Sequence, residues 1–371
     1  MNRTYQITVS LGFLCLALGA ASCETPAPSQ NTPTAGSGEP PATPTLVEMI
    51  DEELAYTRDH RALSLETNAA WQILHGVLAY GREFTVEQDG KPVKVVDYLL
   101  SGGTIKGWDP QLLTVGDPPR KTARLLMAPG TKSGQGHPDQ WLAVLAQCDL
   151  APDQRVRIGD ADIPFIELID QMLRDVHRNV DREYSWTLIA ATHYYPTTHR
   201  WTAGDGKEWS IERLMEIELE QELATSACGG THRLIGLAMA LDRRKRDNEP
   251  ITGVWEQTQQ KINVVAQRAR ELQNADGSFS TDYFERPATH PDLKEHLGAT
   301  GHTLEFLAVS QPPQVLTEPW VRRAAMRLTR LFTVTRRVPL ECGALYHAAH
   351  GLVLYRRHVA PPKQADPSTA P

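Results

Sequence analysis

The sequence predicts an all-α domain with one small β-hairpin near residues 84–96. Three observations lead there. From Asp139 to Arg357, apolar residues recur at the 3.6-residue spacing of amphipathic helices, and Gly- and Pro-bearing loops separate the segments. No alternating strand pattern recurs in that stretch. Phe84 to Val95 is the exception, because two alternating β-prone runs flank Asp89-Gly90, a dipeptide suited to a tight hairpin turn.

The chain begins with an export signal. Arg3 supplies one positive charge, and the apolar run from Ile7 to Ser22 is shorter than the roughly 20 residues a membrane-spanning helix needs. It ends at Ala20-Ala21-Ser22-Cys23, which resembles the lipobox of bacterial lipoproteins. The resemblance implies cleavage before Cys23, lipidation of its thiol, and anchoring in the cell envelope facing the periplasm or the outside. Ala20 stands where Leu is usual, so plain secretion is the alternative. Residues 23–45 then form a Pro-rich linker that cannot bury a core. Residues 46–359 form the folded domain, and residues 360–371 a disordered tail.

Within the domain, Leu46 to Tyr80 reads as two helices and Phe84 to Val95 as the hairpin. Residues 101–140 are rich in Gly, Pro and Thr and are expected to form surface loops around one short helix. Helices follow at Trp141–Cys148, Pro164–Asn179, Ser185–His193, Ile211–Ala224, Thr231–Leu241, Val254–Gln273, Thr303–Ser310, Pro319–Thr333 and Gly343–Arg357. Three cysteines, Cys148, Cys228 and Cys342, are too few for a disulfide framework and read as packed thiols.

Three segments share a pattern: Cys228-Gly-Gly-Thr-His232, Gly298-Ala-Thr-Gly-His302 and Gly343-Ala-Leu-Tyr-His347. Each places small residues before a histidine, and an apolar half-helix follows. Leu74-His75-Gly76 is a fainter echo. Between two of these segments, Gln273-Asn-Ala-Asp276-Gly277-Ser278-Phe279 runs from a helix end through a Gly turn to an aromatic. It resembles the repeat signature of terpenoid cyclases and protein prenyltransferases. That resemblance implies an (α/α) toroid in which inner helices line a funnel and outer helices face water. In such a turn Gly277 takes a positive φ, Asp276 caps the backbone, and Phe279 packs on an outer helix.

A toroid of this kind brings Cys228, His232, His302, Cys342, His347 and His350 within reach of one another. Imidazole and thiolate are zinc ligands, so Cys228, His232, His302, Cys342 and His347 are candidate metal ligands. A metal-free alternative uses His232 or His302 as general base and Tyr346 as proton donor, with Arg233 neutralising an acidic sugar. Close helix packing around polar residues explains the same composition. His193, Tyr194 and Trp201 lie in an aromatic loop suited to stacking on sugars. The acidic series from Glu208 to Glu222 and the basic series from Arg322 to Arg330 read as solvated faces, and Arg243 to Arg246 as a polar loop.

Several chemistries are excluded. The chain has 371 residues and a net charge of -7, which disfavours nucleic acid as a partner. The Asp-x-Asp-Asp acid and the Asp-rich diphosphate motifs of terpenoid cyclases are absent, as is the Asp-x-Cys metal pair of protein prenyltransferases. Gly-x-Ser-x-Gly, Walker and dinucleotide motifs are missing too. Two classes remain. One is an envelope protein whose concave face binds a partner or polymer without catalysis. The other is a lyase- or hydrolase-like enzyme acting on a polysaccharide or lipid in the funnel, with zinc a candidate cofactor and a metal-free site the alternative.

Overall fold

A computed structural model describes residues 44–126 and 133–360. The chain divides after Thr43 into two units, and every described residue belongs to the second. The signal segment, Cys23 and the linker as far as Thr43 lie outside the described residues, as does the tail after Ala360. No helix among the described residues is long and apolar enough to cross a membrane.

The domain is mostly helical and carries small antiparallel hairpins. Helix α1 (Leu46–His60) opens with a capping box, in which Glu48 N donates to Thr45 Oγ1 and Thr45 N donates to Glu48 Oε2. Helix α2 (Ala70–Tyr80) leads into strands β1 (Thr85–Gln88) and β2 (Lys91–Lys94). Asp89 and Gly90 turn between them at φ 49° and 71°, the positive pair a type I′ hairpin requires. After α3 (Val95–Leu100) the expected loops contain a second hairpin, β3 (Pro110–Val115) with β4 (Arg120–Leu125). Helix α4 (Gln140–Ala146) follows. A third hairpin, β5 (Arg155–Ile158) with β6 (Ala161–Pro164), precedes α5 (Phe165–Asp175) and α6 (Ser185–Tyr194). A fourth, β7 (Arg200–Thr202) with β8 (Glu208–Ser210), precedes α7 (Ile211–Leu219). The all-α expectation is corrected by three added hairpins. Their strands run only three to six residues, too few to establish a period against the helical background.

The remaining elements are α8 (Thr231–Arg246), α9 (Val254–Glu271), α10 (Leu293–Ser310), the short α11 (Pro313–Leu316), α12 (Pro319–Thr335) and α13 (Cys342–Val359). Three expectations change here. Helix α10 starts at Leu293, so Gly298 and His302 sit inside it and do not open it. Helix α8 continues through Arg243 to Arg246, and Arg244 is buried with its guanidinium 4.9 Å from the Trp255 ring centre. Glu218 is fully buried, unlike the solvated face predicted for it.

Helices α2, α4, α6, α8, α10 and α13 pack each against the next, and α13 packs against α2. Most of their faces are buried. Helices α5 and α7 cover α6, α9 covers α8, and α12 covers α10 and α13. These outer helices bury one apolar stripe each, the pattern of a surface helix. Glycines set the inner spacing. A Cβ on Gly301 would lie 2.6 Å from Ala348 Cα on α13, and one on Gly236 would lie 2.6 Å from Ser185 O on α6. Both neighbours are backbone and have no rotamer by which to yield. Gly301→Val is therefore expected to cost at least about 1–3 kcal/mol of stability, read as a lower midpoint in urea unfolding.

The Gln273 turn has the expected form. Gly277 sits at φ 91°, and Ser278 N and Oγ donate to Asp276 Oδ1 at 3.0 and 2.7 Å. Phe279 is buried, with its ring edge-on to Trp320 of α12 at 6.1 Å. Gln273 Nε2 donates to Gly277 O and Trp320 O, which ties the turn to α12.

Candidate metal centre

Five imidazoles meet where the six mutually packed helices converge. His75 comes from α2, His137 from the loop before α4, His232 from α8, His302 from α10 and His347 from α13. Ring centres lie 4.3 Å apart for His302 and His347, 4.9 Å for His232 and His347, and 4.8 Å for His137 and His232. His302 is 5.3 Å from His232, and His75 is 5.4 Å from His347. Trp186 of α6 closes one side, 5.3 Å from His232.

Four of these rings share one arrangement. Nδ1–H of His302 donates to Gly298 O at 2.8 Å, and that of His347 to Glu305 Oε2 at 2.8 Å. Nδ1 of His137 meets Glu183 Oε2 at 2.9 Å, and Nδ1 of His75 meets Trp71 O. Each bond occupies Nδ1, which makes Nε2 the nitrogen an ion would take, as with the partners behind metal-bound histidines. Nε2 of His347 is buried and unpartnered. His232 differs, because it is 5% exposed and neither ring nitrogen has a hydrogen-bond partner. A buried polar atom left unpaired costs about 1–3 kcal/mol. An ion drawing on these nitrogens removes that cost.

Cys228 supplies the sulfur. It stands at φ 51°, followed by Gly229 at 62° and Gly230 at 74°. Three successive left-handed residues are costly for Cys228 and are made possible by the two glycines after it. A Cβ on Gly229 would lie 2.2 Å from the Tyr283 ring, and one on Gly230 2.5 Å from Leu223. Cys228 therefore belongs to a turn ahead of α8 and not to the helix itself. Ligand atoms of Cys228, His232 and His302 nonetheless lie within 4.8 Å of one another. Those of His137, Glu183 and His232 do so as well.

The electrostatics follow from burial. It holds His232 well below the usual imidazole range, helped by the neighbouring histidines, and pushes His75 down to about 3. Burial also opposes the charged form of His302, yet the charge and hydrogen bond of Cys228 outweigh it and raise His302 to about 9. Burial pushes the Cys148 thiol up to about 12, away from the thiolate form. Behind the rings, Glu305 accepts from His347 and, at 2.7 Å, from His350. Burial works against its charge, but these two histidines overcome it and hold the carboxyl far below its usual range.

The other predicted residues sit elsewhere. Tyr346 is buried between Tyr80 and Phe84, 6.3 and 5.9 Å away, with its phenol pushed up by burial. Cys342 starts α13 and belongs to neither ligand group. Arg233 is engaged with both carboxylate oxygens of Glu218 at 2.9 Å and with Ser226 Oγ. The expected aromatic loop is instead split between elements: His193 and Tyr194 end α6 and Trp201 lies in β7, where Tyr194 OH donates to Leu150 O, Trp201 Nε1 donates to Leu173 O and His193 lies 3.9 Å from Asp149. None of the described cysteines is in a disulfide.

His137, Glu183 and Glu305 escaped the sequence reading. His137 follows Gly134-Gln135-Gly136 just ahead of α4, echoing the small-residue-then-histidine pattern, and that was the available signal. Gly136 leaves room for the Trp71 ring, and Gln135 ties the loop to Leu125 O and Trp141 N. Beside the cluster, Gly229 and Tyr283 help to line a cavity of about 640 Å³ that also holds Lys261, Arg268 and Phe284. No family model matches this chain, and no curated protein or solved structure shows significant similarity to it.

Proposed function

We propose a zinc-dependent hydrolase, exported and lipid-anchored through Cys23, whose metal is held by Cys228, His232 and His302. The observation that carries this reading is His232, buried beside a thiol and a second imidazole with both ring nitrogens unpartnered. A thiolate and two imidazoles suit zinc, the ion displacing the proton that Cys228 holds on His302, and three protein ligands leave a fourth position for water or substrate. Bound zinc brings a water to ionise near neutral pH. The chain's own residues orient the ligands: Gly298 O fixes His302, and the Gly229-Gly230 pair fixes Cys228. The cavity of about 640 Å³ beyond Tyr283 is the natural approach for a substrate, and Lys261 and Arg268 give it cationic walls.

The successive packing of α2, α4, α6, α8, α10 and α13, with α13 returning to α2, supports an (α/α) toroid as the scaffold. In that toroid the histidines lie at the ring centre. Export and anchoring rest on the amino-terminal sequence alone.

One observation favours a second reading, a non-catalytic envelope protein stabilised by a structural metal. The space enclosed against His232, Glu305 and His350 amounts to only about 10 Å³, room for about one water and too little for a substrate. Full-length protein purified without chelator separates the readings. The hydrolase binds zinc, loses it in Cys228→Ser, and releases zinc-dependent products from envelope glycans or lipids, read by mass spectrometry. Zinc that raises the melting temperature without any such product supports the structural metal. Absence of zinc, cobalt and iron under these conditions rejects both.

A further inference from the structure

We propose that the buried cluster holds two metal ions, with the His232 imidazole bridging them. The inference rests on the zinc-centre reading of Cys228, His232 and His302 and extends it. His137, Glu183 and His232 form a second ligand group, again with donor atoms within 4.8 Å of one another. His232 is the residue common to the two groups. It is also the one of the five clustered imidazoles whose Nδ1 has no hydrogen-bond partner, and its Nε2 has none either.

A histidine that binds one ion engages its other nitrogen with a carbonyl or carboxylate, as His302 and His347 do here with Gly298 and Glu305. His232 has no such partner, so each of its nitrogens is available to one ion. Binding the second ion replaces the remaining ring proton, which leaves to solvent, and a nitrogen–metal bond forms in its place. Nδ1 of His137 lies 2.9 Å from Glu183 Oε2, so an ion bound by both takes the place of the proton they share, which leaves to solvent. Glu183 also accepts from Ser185 Oγ at 3.3 Å, a contact that orients the carboxylate. The first ion then has a sulfur and two nitrogens, and the second has nitrogen and oxygen donors, a set that also suits zinc.

The two sites are separable by metal counting on the full-length chain loaded with zinc and freed of excess. Two ions per chain are expected, falling to one in Glu183→Gln and in Cys228→Ser and to none in His232→Ala. Cobalt gives an independent readout, because only the site with Cys228 produces a thiolate-to-cobalt absorption band. In wild type that band is expected to saturate after one equivalent while bound cobalt rises to two. In Glu183→Gln the band persists in full while bound cobalt halves. If Glu183→Gln does not fold, the wild-type cobalt titration decides alone. A single ion, unaffected by Glu183→Gln and lost in Cys228→Ser, overturns the second site and leaves the zinc centre standing. No bound ion overturns both.

Discussion

Glu305→Ala is expected to destabilise the domain by about 3–5 kcal/mol, the cost of breaking a buried pair by removing one partner. Glu305 is 2% exposed and accepts from His347 and His350. Alanine leaves two buried Nδ1–H groups without acceptors and a cavity between α10 and α13. The measurement is chemical denaturation, with circular dichroism to confirm that the variant folds. Glu305→Gln keeps the volume and one acceptor oxygen, so it should lose less than Glu305→Ala. The pH dependence has a definite sign. The folded-state carboxyl lies below its unfolded value, so its contribution is present above about pH 4.5 and fades as pH falls further. The acid limb of the stability profile should therefore flatten in Glu305→Ala.

Arg233→Met is the second large effect, again about 3–5 kcal/mol, because it strands Glu218 with no counter-charge. Glu218 is fully buried, accepts from Arg233 NH1 and also takes the backbone N–H of Tyr184. Adding Glu218→Leu to Arg233→Met should restore most of the loss, since an apolar pair of similar volume removes both desolvation costs. A double-mutant cycle in urea checks this. If the double variant is no more stable than Arg233→Met, the destabilisation comes from lost packing around the arginine stem. Here the pH sign reverses. Burial outweighs Arg233 and raises Glu218 to about 6, against about 4.5 for an exposed glutamate. Stability from this group is thus greatest below pH 4.5 and declines between pH 4.5 and 6, by about 2 kcal/mol at 1.36 kcal/mol per unit.

The two pairs differ because their surroundings differ. Each carboxylate accepts from two donor groups, two imidazoles at Glu305 and a guanidinium and an amide at Glu218, and burial prevails at Glu218 alone of the two. Both also illustrate why polar pattern misleads in a helical protein. Glu218 reads as one of a run of surface glutamates, yet it turns inward to meet Arg233 from the next helix. Within α7 it falls on the buried stripe of Ile211, Leu214 and Met215, but the partner that makes a buried carboxylate tolerable there lies 15 residues along the chain.

Local signals were legible where they depend on neighbours in sequence. The Asp89-Gly90 turn, the Gly277 turn and most helices follow from residue type and spacing. The three further hairpins did not, and neither did the early start of α10. Its first turns carry Lys294, Glu295 and Gly298, which give no clear apolar stripe, and burial against α13 stabilises them instead. Of the site, His232, His302 and His347 were legible because each stands four positions after Cys228, Gly298 or Gly343, and Cys228 because it opens the first of those segments. His137 and Glu183 were not, since each lies in a loop whose path is set by contacts with other helices.

The sequence by itself determined that the chain folds mainly as helices and that small residues precede its histidines. The tertiary structure decided which of those histidines meet. Helix packing brings five imidazoles together from segments far apart in the chain, and burial then keeps His75 and His232 neutral. Spacing along a helix specifies a face, but only the packing of one helix on the next specifies what that face touches.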